Sequence, residues 1–414
     1  MNLVIFVLHF FEEPIGVPMK KIVYSALLAV ITLFSVYAAP KKGSRIELKV
    51  WESSGTESAF IQAAIKEFRA VNPNVRIIYE PVESTEARNK IELDGPAGVG
   101  ADIFVAPHDH LGALVAGQHI LPVEDAESYI SQFYKLAQTA AKYNNVVYGY
   151  PLGAETYALF YNKDILPKPL KSWEEIIEFA KKWNTPVEGK YALVWPVNDP
   201  YYSFMFTENS ESPLFGINGN DPKQHNLNTP QTLKRLRLFQ SLRFKILNIP
   251  AADASRDFCN ATFEEGKAPM IITGSWTINQ FKKLKMNFGI TTLPSFPGES
   301  IPSYSFSGVR LAFVSSYSEH PEEAMEFAKF LTSKKMLEKR FAMTDQIPPR
   351  NDIEISDPII AGISEQLKYS KPMPTISQLG TYWLVMGPAI SGIWEGDNVT
   401  KTMDIVAKQM DAVK

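Results

Sequence analysis

Hydrophobic and polar positions alternate at Ile46, Leu48 and Val50, with Glu47, Lys49 and Trp51 between them. A period of two residues is that of a strand packed on one face. The period then lengthens. After Gly55-Thr56, apolar residues recur every fourth position at Phe60, Ala64 and Phe68, with Ile61 and Ile65 beside them. That spacing gives a helix one apolar face. Asn72-Pro73-Asn74 ends the helix, and Val75 to Tyr79 is the next expected strand. Ile103-Phe104-Val105 is a third, after another helical stretch. This β-α-β-α-β series predicts an α/β fold with a mostly parallel, doubly wound sheet and helices on both faces.

A second series begins near residue 155. Thr156 to Tyr161 reads as a strand, and Ser172-Trp173-Glu174-Glu175 as a capping box that opens a helix carrying Ile176, Ile177, Phe179 and Ala180. Tyr191 to Trp195, Ala268 to Thr273 and Phe288 to Leu293 are apolar runs of strand length. The stretch from Glu208 to Thr229 is rich in Asn, Gly, Pro and Ser and is expected to lie on the surface. Pro294 to Ser305 and Ile347 to Asp352 are irregular and suit chain crossings. A helix is expected from His320-Pro321 through Phe330, and further helices fill the C-terminal segment. At 414 residues the chain is too long for one core, so two domains are expected.

The N-terminus changes the picture of where the protein works. Met19-Lys20-Lys21 is a short basic start, Ile22 to Tyr37 is apolar, and Val36-Tyr37-Ala38 is a small-x-small site. Residues 1–38 therefore read as a cleavable secretory signal, with Met19 the better start and cleavage after Ala38. The competing reading is a permanent anchor, but the apolar run is shorter than the ~20 residues a spanning helix needs. The expected location is periplasmic or extracytoplasmic. A formal net charge of -3 gives no reason to expect nucleic acid as a partner. The single cysteine, Cys259, allows no intramolecular disulfide.

Chemistry-bearing motifs are few. There is no Gly-x-Ser-x-Gly elbow, Walker motif or His-Glu-x-x-His. His108-Asp109-His110 invites a metal reading, yet only 6 His occur and no second cluster supplies further ligands, so no metal and no cofactor is expected.

Several stretches together resemble the periplasmic maltose-binding protein family. They are Leu48-Lys49-Val50-Trp51, Gly100-Ala101-Asp102-Ile103 with Ala106-Pro107-His108-Asp109, and Glu155 followed by Leu159-Phe160-Tyr161-Asn162-Lys163-Asp164. Asp199-Pro200-Tyr201, Thr273-Gly274-Ser275-Trp276, Met373-Pro374 and Tyr382-Trp383 follow in the family's order. The resemblance runs from about Arg45 to the C-terminus. It implies a two-lobe fold with a hinged ligand cleft. The N-terminal lobe would hold 44–153 plus 308–353, the C-terminal lobe 154–307 plus 354–414. The implied partners are a maltodextrin-type sugar and the membrane permease of an ABC importer, with the binding protein a monomer.

A sugar offers a ring face of C–H groups and a rim of hydroxyls, so its site needs flat rings and carboxylates. The resemblance places Tyr201, Trp276 and Trp383 at stacking positions and Trp51 in the cleft. It places Asp109, Glu155 and Asp199 as hydroxyl acceptors. The competing reading for the rings is core packing, and for Glu155 and Asp199 a surface or hinge-capping carboxylate. The chain departs from the family at Gly55-Thr56, His110, Leu384 and Gly387, so maltose, a longer maltodextrin, trehalose or another α-glucoside all remain open. A glycoside hydrolase using Glu155 and Asp199 as an acid/base pair is the rival reading.

Overall fold

The structure, a computed structural model, describes residues 45–412 except 218 and 377. The expected signal segment lies outside the described residues. Ten strands follow in order: β1 (Ile46–Glu52), β2 (Val75–Pro81), β3 (Ile103–Pro107), β4 (Lys142–Tyr143), β5 (Val146–Val147), β6 (Gly149–Asn162), β7 (Met270–Gly274), β8 (Phe288–Thr291), β9 (Ser305–Val314) and β10 (Ser370–Pro372). The main path runs β2-β1-β3-β9-β6-β7, with β8 paired to β6 and β10 to β9.

β1 pairs with β2 and β3 in parallel, as the first series predicts. The rest differs. β9 is antiparallel to both β3 and β6, and β6 is antiparallel to β7 and β8. The sheet is mixed because β6 and β9 are long strands that return past one another. Only Thr156 to Tyr161 reads as a strand from the sequence, because Pro151 and Gly153 interrupt the signal ahead of it, yet β6 spans Gly149–Asn162. Tyr191 to Trp195 is buried as an apolar run must be, but it makes only the bridge Val194↔Ile271 and no strand. The stretch from Glu208 to Thr229 is a surface excursion only in part, with Ile217 80% exposed. It carries Leu214, Phe215 and Leu227 into the interior, with Glu208 and Asn209 buried as well.

Two hydrophobic clusters hold the molecule. One gathers Leu48, Val50, Trp51, Phe60, Phe104 and Phe313, the other Tyr157, Phe160, Trp195, Phe239, Ile272 and Trp394. β6 passes from the first cluster at Tyr150 and Leu152 to the second at Tyr157 and Ala158, and β9 returns from Phe306 to Val309 and Leu311. The register of β6 against β9 shifts between Pro151 and Gly153, a bulge at the changeover. Gly153 sits there under Gln346, and a Cβ on it would lie 3.1 Å from the Gln346 Oε1. The helices form where the spacing predicts. Thr56–Val71 buries Phe60, Ile61, Ala64 and Phe68, and Trp173–Trp183 starts with the expected reciprocal cap of Ser172 and Glu175.

One buried charged cluster ties the first lobe's helix Lys334–Thr344 to the end of β1. Arg340, 1% exposed, donates from Nη1 to Glu52 Oε2 at 3.1 Å and from Nε to Gln346 Oε1 at 2.9 Å. Burial pushes the Glu52 carboxyl above its usual range, while Arg340 and the Ser53 N–H hold it down in part. Removing one partner leaves a charge in the core. Arg340→Met is expected to cost about 3–5 kcal/mol in urea unfolding, and the double variant with Glu52→Gln to recover part of that loss.

Candidate functional site

A cavity of about 410 Å³ opens where the two lobes meet, lined by both. Thr85, Pro107, Asp109 and His110 border it from the side of the first cluster. Asp199, Pro200, Tyr201, Arg256, Trp276 and Trp383 border it from the side of the second. Glu155 and Arg310 come from the long strands that join the two.

The local sequence explains each placement. β3 ends in Pro107 and runs into a single 3₁₀ turn, His108–His110, which lifts Asp109 off the strand end. His108 is fully buried beneath it. Its Nδ1 accepts from the Val309 N–H at 3.2 Å and its Nε2–H donates to the Met373 carbonyl at 2.9 Å. Burial lowers its pKa, which keeps the ring neutral in that tautomer. The 108–110 turn is thereby pinned to both β9 and the 373 segment.

On the opposite wall, Asp199 caps the helix Pro200–Thr207, its Oδ1 accepting from the Tyr201 N–H at 2.9 Å. Its other oxygen accepts from Arg256 Nη2 at 2.6 Å. Trp276 follows β7 in another 3₁₀ turn, Ser275–Thr277, and its ring folds back over the strand. Only glycine allows this, because a Cβ on Gly274 would lie 2.1 Å from the ring. Tyr201 and Trp276 meet with centroids 6.1 Å apart, Tyr201 stacks on Phe306, and Trp383 meets Phe306 edge-on at 5.6 Å. The rings form one continuous apolar wall on the second lobe.

Glu155 is 6% exposed and accepts from Arg310 Nε at 3.1 Å. It is held close, since Gly308 opposite it would place a Cβ 3.2 Å from the Glu155 Cγ. Burial works against the charge of Arg310, but Glu155 outweighs it and raises the guanidinium pKa.

Three polar atoms of residues lining this cavity are buried with no partner among the described residues: Asp109 Oδ1, His110 Nδ1 and the Tyr201 hydroxyl. Burial lowers the His110 pKa, so the ring is neutral, and drives the Tyr201 phenol well above its usual range. A buried polar atom left unpaired costs about 1–3 kcal/mol. All three belong to residues that border the one cavity, and polar side chains gathered there suit a hydroxylated ligand.

Asp109, Glu155, Asp199, Tyr201, Trp276 and Trp383 are thus brought to one cavity. Trp51 is not. It is fully buried in the first lobe, packed near Phe104, with its indole N–H donating to Glu80 Oε2 at 2.7 Å. The resemblance placed it in the cleft, but its ring lies under Lys90 of the helix Ala87–Asp94, 4.9 Å from the ammonium. Arg256 and Arg310 line the cavity without having been expected. A lone arginine inside the apolar run Val309 to Val314 was the available signal for Arg310.

The chain matches a profile of the bacterial extracellular solute-binding proteins over residues 63–362. It belongs to that family. A maltotriose-binding protein from Pyrococcus abyssi is 27% identical over 347 residues, 81% of this chain and 74% of the relative. A galactooligosaccharide-binding protein from Bacillus subtilis is 27% identical over 91% of this chain and 93% of its own length. Among solved structures, the Thermus thermophilus maltotriose-binding protein bound with maltotriose superposes with a TM-score of 0.77 at 27% identity, covering 89% of this chain and 100% of that one. The fold is the two-lobe α/β architecture of these solute-binding proteins, whose members are extracellular binding proteins.

A second cavity, about 730 Å³, lies on the other side of Met373, which borders both. It is lined by Glu208, whose burial pushes its carboxyl up to about 7, with the Leu214 N–H, Lys371 and Arg235 lowering it in part. The usual value is 4.5, so the folded chain keeps a proton that the unfolded chain has lost between about pH 4.5 and 7. Stability is therefore lost as pH rises through that window, by roughly 3 kcal/mol for this group. Urea unfolding at pH 5 and pH 8 is expected to show a smaller loss for Glu208→Gln than for the native chain.

Proposed function

We propose that the protein binds a maltodextrin-type oligosaccharide in the first cavity, outside the cytoplasm, and delivers it to an ABC importer. The observation that carries this is the pairing of an aromatic wall, Tyr201, Trp276 and Trp383, with the polar side chains of Asp109 and His110 across the same cavity. Sugar C–H faces rest on rings, and sugar hydroxyls both donate and accept. The relatives named for maltotriose support an α-glucan, while the galactooligosaccharide-binding relative keeps other neutral oligosaccharides in play.

On this reading Asp109, which borders the cavity, accepts a ligand hydroxyl. Glu155 and Asp199 act as fixed acceptors whose geometry is set by Arg310 and Arg256. The same two ion pairs weigh against the hydrolase reading. Each carboxylate is already engaged by an arginine, which fixes it as an acceptor.

The lobes proposed are 44–153 plus 308–353 and 154–307 plus 354–414. The two hydrophobic clusters and the bulge near Gly153 support those limits. Closing them around a ligand that touches both would shift a hinge equilibrium of a few kcal/mol. A cleaved N-terminal signal, a monomeric state and the absence of any cofactor complete the proposal.

Calorimetry of the mature protein against maltose, maltotriose, trehalose and sucrose tests it. Trp276→Ala is expected to weaken the preferred sugar at least tenfold, about 1.4 kcal/mol, with unfolding little changed. An unchanged dissociation constant for that variant would remove the ring wall from the site.

A further inference from the structure

Arg256 stands where the stability of the fold alone would not put it. It is the first residue of the helix Arg256–Glu264, directly after the Ser255 cap. The N-terminal end of a helix carries partial positive charge, so a cation there is disfavoured. Its ion pair, Nη2 to Asp199 Oδ2 at 2.6 Å, offsets little of this, because the Arg256 side chain is 62% exposed and exposed pairs are screened by water. Asp199 does not need the pair either. Its Oδ1 already accepts from the Tyr201 N–H, and that bond caps the helix Pro200–Thr207.

The first cavity, by contrast, is short of what Arg256 offers. Each sugar hydroxyl has one hydrogen to donate and two lone pairs to fill. Asp109, Glu155 and Asp199 border the space, and an ionised carboxylate only accepts. The other arginine at the wall, Arg310, is 19% exposed, and its Nε is taken by Glu155. Arg256 makes no hydrogen bond besides the one to Asp199 among the described residues. Its Nε, its Nη1 and the second hydrogen of Nη2 are left to donate, on an exposed side chain that borders the cavity.

Charge narrows the ligand. Three carboxylates border the cavity against two arginines, and both arginines are already paired, which disfavours an anion. Asp199 keeps acceptor capacity, since a carboxylate has about four lone-pair sites and only two are engaged. Donor and acceptor therefore lie side by side at the wall, as the two oxygens of a vicinal diol do.

We propose that Arg256 is a ligand-binding and specificity-determining residue of the first cavity. Its guanidinium donates to one hydroxyl of a sugar ring, while Asp199, held by that same guanidinium, accepts from the neighbouring hydroxyl. The pair selects a neutral ring with two adjacent free hydroxyls at this position. The assignment rests on the oligosaccharide reading of the cavity and adds to it the group that supplies donors.

The probe is the tightest binder among maltose, maltotriose, trehalose and sucrose, followed by calorimetry with the intact protein. Arg256→Gln is expected to weaken it at least tenfold, about 1.4 kcal/mol, with urea unfolding little changed. Arg256→Lys keeps the charge but not the fork of donors, and is expected to recover only part of the loss. Monodeoxy analogues of the same sugar separate contact from mere positioning. Two analogues lacking neighbouring hydroxyls are expected to bind the native chain at least tenfold more weakly. One of these penalties is expected to vanish in Arg256→Gln and persist in Asp199→Asn, which marks a hydroxyl held by the arginine itself. A dissociation constant that Arg256→Gln leaves unchanged, or the lack of any analogue whose penalty follows Arg256 alone, would overturn this assignment and leave the oligosaccharide reading standing. Failure of the native chain to bind any of the four sugars would overturn both.

Discussion

The Glu155–Arg310 pair lies on the two strands that both lobes share. β6 and β9 each begin in one hydrophobic cluster and end in the other, and these residues lie just past the changeover. An ion pair here is the natural solution to a physical conflict. The strands must be buried on either side, yet the gap between the lobes must present polarity. A carboxylate and a guanidinium compensate one another's desolvation and leave hydrogen-bonding capacity at the cavity wall. Gly153 and Gly308 supply the close approach that the crossing needs, one beneath Gln346 and the other beside Glu155.

Around that crossing, short turns at strand ends carry the remaining groups. The 3₁₀ turn at His108–His110 and the one at Ser275–Thr277 each follow a buried strand and project a side chain into the gap. Rigid strands with brief turns hold such groups more firmly than long loops would. His108 strengthens this by locking one turn to β9 and to the Met373 segment through both ring nitrogens. Met373 in turn separates the two cavities, so the same segment shapes both.

The polar groups divide into those already paired and those not. Asp199 and Glu155 are engaged by arginines, whereas Asp109, His110, Tyr201 and Glu208 each keep a buried atom unpartnered among the described residues. Polar side chains gathered at a cavity sharpen its choice of ligand, because only a molecule with matching hydroxyls pairs with them.

The sequence alone determined the local elements whose period or caps are strong. The helices over Thr56–Val71 and Trp173–Trp183 and the parallel trio β1 to β3 follow from apolar spacing and a capping box, which are local quantities. The resemblance to the maltose-binding family also pointed to the ring and carboxylate positions that meet in the first cavity. The tertiary structure decided what depends on distant partners. It turned Trp51 into the first core, left the Tyr191 to Trp195 run with a single bridge to β7, carried part of the polar stretch after Glu208 inward, and set Arg256 and Arg310 against carboxylates far away in the chain. Periodicity reports which residues share a face. Which face is covered, and by what, is settled only when remote segments pack.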